Sequence, residues 1–158
     1  LKLRLNRNNK FYKNTLRYIK ANFSNDLGFH YSVLKLFGIK YCFTKTDAVF
    51  IWTKGGYNIA RSKEYYPIFF KIKRQDLDIF KGYCKKLNLK IASKKDIFYL
   101  PETSENFKVS YLEDIPVDSL NETIAFMQKY IYNFQPALEM ISEMYNKKLE
   151  IKYREVYL

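Results

Sequence analysis

The chain is poor in the residues that usually build metal centres, redox sites and phosphate-cradling loops. Its 158 residues include 2 Cys, 1 His, 5 Gly and 4 Pro. One histidine and two separated cysteines cannot assemble a structural zinc site, which takes four nitrogen or sulfur ligands. Cys42 and Cys84 lie in apolar surroundings and read as reduced packing residues rather than as a disulfide. Long hydrophobic runs are also missing. Stretches such as Ala48–Thr53 fall far short of the ~20 apolar residues that span a bilayer, so no membrane partner is expected. No cationic-then-apolar leader with a small-residue cleavage site opens the sequence, which makes the cytoplasm the expected compartment.

Apolar, aromatic and basic residues, by contrast, are abundant. Apolar residues make up 47%, and 13 Phe and 15 Tyr can offset chain entropy by burial, as one folded domain of ordinary size requires. The net charge is +12, and a balance that far from zero nominates polyanions as partners. The excess is not evenly spread. Residues 1–79 hold 16 basic against 5 acidic side chains, whereas residues 80–158 hold 12 against 11. Lys2, Arg4, Arg7, Lys10, Lys13, Arg17 and Lys20 all precede the first acid, Asp26. A solvated helix face would normally interleave signs at i,i+4 spacing. An all-cationic run instead suits phosphate contacts.

Periodicity supplies the elements. Leu1–Leu5 alternates as a half-buried strand does, and Tyr12, Leu16, Ile19 and Phe23 recur at helical spacing over Phe11–Asn22. A basic opening unit, 1–23, is therefore expected ahead of a core domain, 24–158. A short helix over Phe29–Phe37 should close at Gly38, where a left-handed residue is wanted. Ile39–Thr44 reads as a strand. Asp47–Thr53, apolar from Ala48 to Trp52, fits a buried strand or a buried helix equally. Tyr65–Lys73 reads as a strand with Pro67 near its start or on an edge. Gln75–Leu87 is expected as a helix stopping at Asn88. Strands are expected at Leu89–Ala92, Ile97–Leu100 and Phe107–Leu112. Asp118 or Ser119 should cap a helix carrying Leu120, Ile124, Met127 and Ile131, with Glu122 completing a capping box. Pro136 should open a last helix through Asn146, and Glu150–Tyr157 alternates like a strand. The sum is an α+β (or α/β) domain, a mixed central sheet with flanking helices.

Each catalytic chemistry has a blander competitor. Gly55-Gly56, flanked by Lys54 and Arg61, could present amides and two cations to a phosphate, but a tight turn explains it as well. His30 stands at a helix start between Phe29 and Tyr31 and reads as a structural residue rather than a general base. Asp76 and Asp78 fall at a helix front, where acids suit the dipole. Glu150-x-Lys152 has the spacing of a nuclease strand, and Asp114 or Asp118 could complete a Mg²⁺ pair. Nine Glu and 22 Lys in 158 residues make roughly one such match by chance. Tyr12 and Tyr18, interleaved with cations, could stack on bases. No catalytic residue, metal or cofactor is therefore assigned.

Several segments resemble the nucleotidyltransferase-like fold. Leu34–Phe37 followed by Gly38–Thr44 looks like its helix and first strand, and Asp47–Thr53 would be its next helix. Tyr66–Lys71 matches its second strand, Phe107–Tyr111 a third, and Ile115–Thr123 the run opening the following helix. The similarity is to the catalytically stripped form found in AbiE-type antitoxins and related prokaryotic regulators. Active members carry Gly-Ser at the start of the second helix and two aspartates on the second strand. Those places read Lys45-Thr46 and Ile68-Phe69-Phe70-Lys71 here. The resemblance thus implies a non-enzymatic, DNA-binding regulator or antitoxin-like protein, with DNA ahead of RNA as its partner. The expected nucleic-acid contacts are Lys2, Arg4, Arg7, Lys10, Tyr12, Lys13, Arg17, Tyr18, Lys20, Lys54, Arg61 and Lys63. A metal-dependent nuclease using Glu150 and Lys152, and a module that binds a protein partner, stand as alternatives.

Overall fold

The computed structural model describes residues 8–22 and 26–151. The alternations at Leu1–Leu5 and Glu150–Tyr157, with Lys2, Arg4, Arg7 and Lys152, lie wholly or mainly outside the described residues. In chain order the elements are α1 (Lys10–Asn22), α2 (Leu27–Ser32), a 3-10 turn (Val33–Phe37), β1 (Tyr41–Phe43) and α3 (Lys45–Trp52). There follow β2 (Tyr65–Ile72), a 3-10 turn (Arg74–Asp76), α4 (Leu77–Leu87), β3 (Lys90–Ile91) and β4 (Asp96–Thr103). The chain then forms β5 (Ser110–Leu112), β6 (Ile115–Val117), α5 (Leu120–Lys129) and α6 (Ile131–Met144). The strands make one mixed sheet in the order β3-β4-β2-β1-β6-β5. Neighbours are parallel at β3–β4, β4–β2 and β1–β6, and antiparallel at β2–β1 and β6–β5. The α+β expectation holds at this level.

Local chemistry explains most boundaries. The Asp26 carboxylate accepts the Phe29 N–H and starts α2, and Gly38 at φ 66° ends the following 3-10 turn. Asn88 ends α4 at φ 56°, a conformation Asn tolerates better than most residues. Ser119 rather than Asp118 caps α5, its hydroxyl accepting the Glu122 N–H at 3.1 Å. Three expectations are corrected. Phe107–Leu112 is a strand only over Ser110–Leu112. Ile115–Val117 is a strand of its own, joined to β5 through Glu113 and Asp114 at φ 48° and 66°, the two left-handed positions of a tight hairpin turn. The last helix starts at Ile131, so Pro136 lies inside α6 rather than opening it.

Two apolar clusters meet at α3. In the first, Tyr66, Ile68, Phe70 and Ile72 alternate inward along β2. They pack with Ile97 and Tyr99 of β4, Phe80 and Cys84 of α4, and Leu34 and Phe37. In the second, Ile124 and Met127 of α5 pack against Phe134, Leu138 and Ile141 of α6. Ala48 and Ile51 of α3 face the first cluster and Val49 faces the second. A helix buried on both flanks is apolar all round, which is why its sequence shows no stripe.

Candidate nucleic-acid interface

Helix α1 carries the expected cations into solvent. Lys10, Lys13 and Arg17 are exposed, and no acid lies in the helix. Phe11 is 80% and Tyr18 62% exposed, while Tyr12 is half-buried. Lys10, Lys13 and Arg17 follow i,i+3 and i,i+4 spacing and share one face of the helix, and Phe11 and Tyr18, seven residues apart, share another. Lys20 belongs to the same helix. Helix α1 lies against α4, whose Lys81, Lys85 and Lys86 are also exposed.

The second expected group divides. Lys54 and Lys63 are exposed. The Gly55-Gly56 turn does not present free amides, because it closes α3. Lys54, Gly55 and Gly56 N–H groups donate to the Ile51, Phe50 and Thr53 carbonyls at 2.9, 2.8 and 2.9 Å. Gly56 is also held by close approach. A Cβ there would collide with Met140 and sit 3.0 Å from the Thr53 oxygen.

Arg61 does not join the exposed cations. Its side chain is 3% exposed and its Nη1 lies 2.8 Å from Asp47 Oδ1. The same nitrogen donates to the Pro67 carbonyl at 3.0 Å, and Nε donates to Asn58 Oδ1 at 2.6 Å. The guanidinium lies over the Tyr66 ring at 4.2 Å. Asp47 also accepts the Phe69 N–H at 2.6 Å and the Tyr31 hydroxyl. Burial pushes the Asp47 carboxyl up against the opposing pull of Arg61. Arg61 in turn is held charged by Asp47 despite its own desolvation. The ion pair excludes a phosphate from this guanidinium.

The geometry explains why these residues are inside. β1 pairs with β2 only from Phe70 to Ile72, leaving Tyr65–Phe69 without a strand on that flank. A turn at Ser62 takes both backbone groups of Tyr65, Arg61 takes the Pro67 carbonyl, Asp47 the Phe69 N–H and Thr44 N–H the Phe69 carbonyl. Pro67 has no N–H to satisfy there, so a proline is tolerated within an interior strand. Burial of polar backbone without such partners costs about 1–3 kcal/mol per group.

A second ion pair lies on the other side of β1. Asp118, just past β6, accepts from Lys71 Nζ of β2 at 3.0 Å, from the Thr44 hydroxyl and from Cys42 Sγ at 3.4 Å. Its carbonyl takes the Trp52 indole N–H at 2.8 Å. Burial and the neighbouring Asp118 push the Cys42 thiol up. Asp118 is thus committed to a lysine and a hydroxyl, Asp114 sits exposed in a hairpin turn, and Glu150 is exposed. Among the described residues no group of three or more His, Cys, Asp or Glu side chains could hold a metal ion. His30 is buried, edge-on to Phe29 and tilted on Tyr99. Both cysteines are free and buried.

The Asp47–Arg61 pairing was not legible in the sequence, since a 14-residue separation carries no local signal. Compared with protein-family models, with curated proteins and with solved structures, the chain matches none. Among the described residues no helix is long and apolar enough to cross a membrane.

Proposed function

We propose that the chain is a non-enzymatic nucleic-acid-binding domain, a DNA-binding regulator or antitoxin-like protein, that grips phosphates through α1. The observation that carries this reading is the surface of α1, where Lys10, Lys13 and Arg17 are exposed on one face with no acid in the helix, and Phe11 and Tyr18 are exposed on another. Cations position a phosphate backbone, and exposed rings offer stacking surfaces to unpaired bases. Lys54 and Lys63 extend the proposed contact set, whereas Arg61 serves the fold.

The likeness to a catalytically stripped nucleotidyltransferase-like fold is supported by two details. Lys45 holds φ 53° at the place where active members carry glycine, the residue that accepts that conformation without strain. The strand on which they carry two aspartates reads Ile68-Phe69-Phe70-Lys71 here, and Lys71 neutralises Asp118 where a metal would need free carboxylates.

The test is fluorescence anisotropy with a labelled 20-mer duplex, titrated at several salt concentrations. Four phosphate contacts predict a slope of log K against log salt of roughly −3 to −4. Replacing Lys10, Lys13, Arg17 and Lys20 together by Glu should weaken binding at least ~100-fold while the circular dichroism spectrum and melting temperature stay close to wild type. Unchanged affinity in that variant overturns the reading.

A further inference from the structure

One glycine has no task inside the fold. Gly82 lies in the middle of α4 without the positive φ that would require glycine. Beyond its own helix, a Cβ there would meet no atom within 4 Å. Glycine inside a helix is destabilising relative to alanine, so its place here points to a close approach from outside. The surface around it is shaped for one. A cavity of about 310 Å³ is lined by Asp78, Ile79, Gly82, Tyr83 and Lys86. Residues 79, 82, 83 and 86 stand at i, i+3, i+4 and i+7, the corners of a hole that receives a side chain from a facing helix. Helix α1 lies against α4 but leaves this face open, since Asp78, Ile79, Gly82 and Lys86 are all exposed, Ile79 by 49%. Tyr83 is held as a wall of the notch by stacking on Phe37 at 4.8 Å.

The charges say what fits. Asp78 and Lys86 sit four residues to either side of Gly82, on one i,i+4 row of the helix. They are about 12 Å apart along the axis, too far to pair with each other. Among the described residues neither makes an ion pair. A row that reads acid, glycine, base is self-complementary. A second copy turned end for end about Gly82 sets each Asp78 against the Lys86 of the other. The same row is the ridge that aligns when two helices cross at about −50°, the commonest class, and glycine at the crossing lets the axes come close.

We propose that this face of α4 binds a second copy of the chain, two α4 helices crossing antiparallel at Gly82 under twofold symmetry. Ile79 of each copy enters the notch of the other, and two Asp78–Lys86 pairs close the ends, as a self-complementary contact requires. This assignment involves neither α1 nor nucleic acid.

Sedimentation equilibrium of the full chain tests it, in roughly 0.3 M NaCl to screen the repulsion between two copies of charge +12. A contact of one helix face per copy should give a dimer with a Kd of ~100 µM. Gly82→Leu should weaken the dimer at least ~10-fold by filling the notch, yet raise the melting temperature by about 2–4 °C through better helix propensity. Asp78→Lys and Lys86→Asp should each weaken self-association about 10-fold, because like charges then face each other. An equimolar mixture of those two variants should regain wild-type association, with melting curves confirming that each folds. A wild type that stays monomeric to ~1 mM overturns the proposal. So does a dimer that neither Gly82→Leu nor Asp78→Lys weakens, because the contact would then lie elsewhere.

Discussion

Asp47 and Asp118 are two buried carboxylates, each paired with a cation from a different stretch of chain, and they do different work. Asp47 is fully buried and meets an equally buried arginine. Around it converge a backbone N–H, a phenol and a guanidinium that itself serves Pro67 and Asn58. Asp118 is nearly as buried, but its lysine is 21% exposed and its other partners are a hydroxyl and a thiol. The difference follows from the cations. A planar guanidinium with five donors can satisfy several acceptors at once in a dry site, whereas an ammonium on a flexible stem remains partly hydrated. The Asp47 pair replaces missing backbone partners. The Asp118 pair ties β6 to β1 and β2 near the surface.

That contrast can be broken by experiment. Arg61→Met should destabilise the domain by about 3–5 kcal/mol, because it strands a fully buried carboxylate and the Pro67 carbonyl. Urea unfolding measures it, and adding Asp47→Asn should restore part of the loss if the stranded charge is the cause. Lys71→Met should cost less, about 1–2 kcal/mol, since Asp118 keeps Thr44 and lies nearer water. Equal losses in the two variants would erase that distinction.

The smallest effect concerns the thiol beside Asp118. Cys42 ionises from an ordinary value of 9.0 in the unfolded chain, and burial raises it in the folded one. Above that pH the unfolded state binds fewer protons than the folded state, so stability falls as pH rises, by up to about 1.4 kcal/mol per unit for one group. Cys42→Ala should flatten the decline in urea midpoint between pH 9 and 11. An unchanged decline would assign it to other buried groups, among them Cys84, whose thiol burial pushes up to about 12.

Much of the fold was legible because its signals are local. Gly38, Asn88 and Ser119 mark helix ends through requirements of one or two residues, and the stripe Phe80, Cys84, Leu87 marks one face of α4. What escaped depends on distant context. α3 shows no stripe because two cores share it, so periodicity left it open between strand and helix and only the resemblance gave it as a helix. The β5–β6 hairpin escaped because Glu113-Asp114 fills a turn that Asn-Gly usually announces. Pro136 was taken as a helix start, although the helix begins at Ile131. Counting charge put Arg61 with the phosphate contacts, since composition does not distinguish a solvated cation from one drawn inside by a carboxylate. The expected cations of α1 were legible as a run without acids, and Lys10, Lys13 and Arg17 are indeed exposed.

The unpaired flank of β2 has a consequence for how copies of the chain behave toward one another. Tyr65–Phe69 is extended, apolar on its inner face and flanked by a strand on one side only, the profile of a segment that recruits foreign strands. The side chains of Asp47 and Arg61 occupy that flank in place of a neighbouring backbone. They act as a two-residue stopper, taking the carbonyl and the N–H that a foreign strand would need.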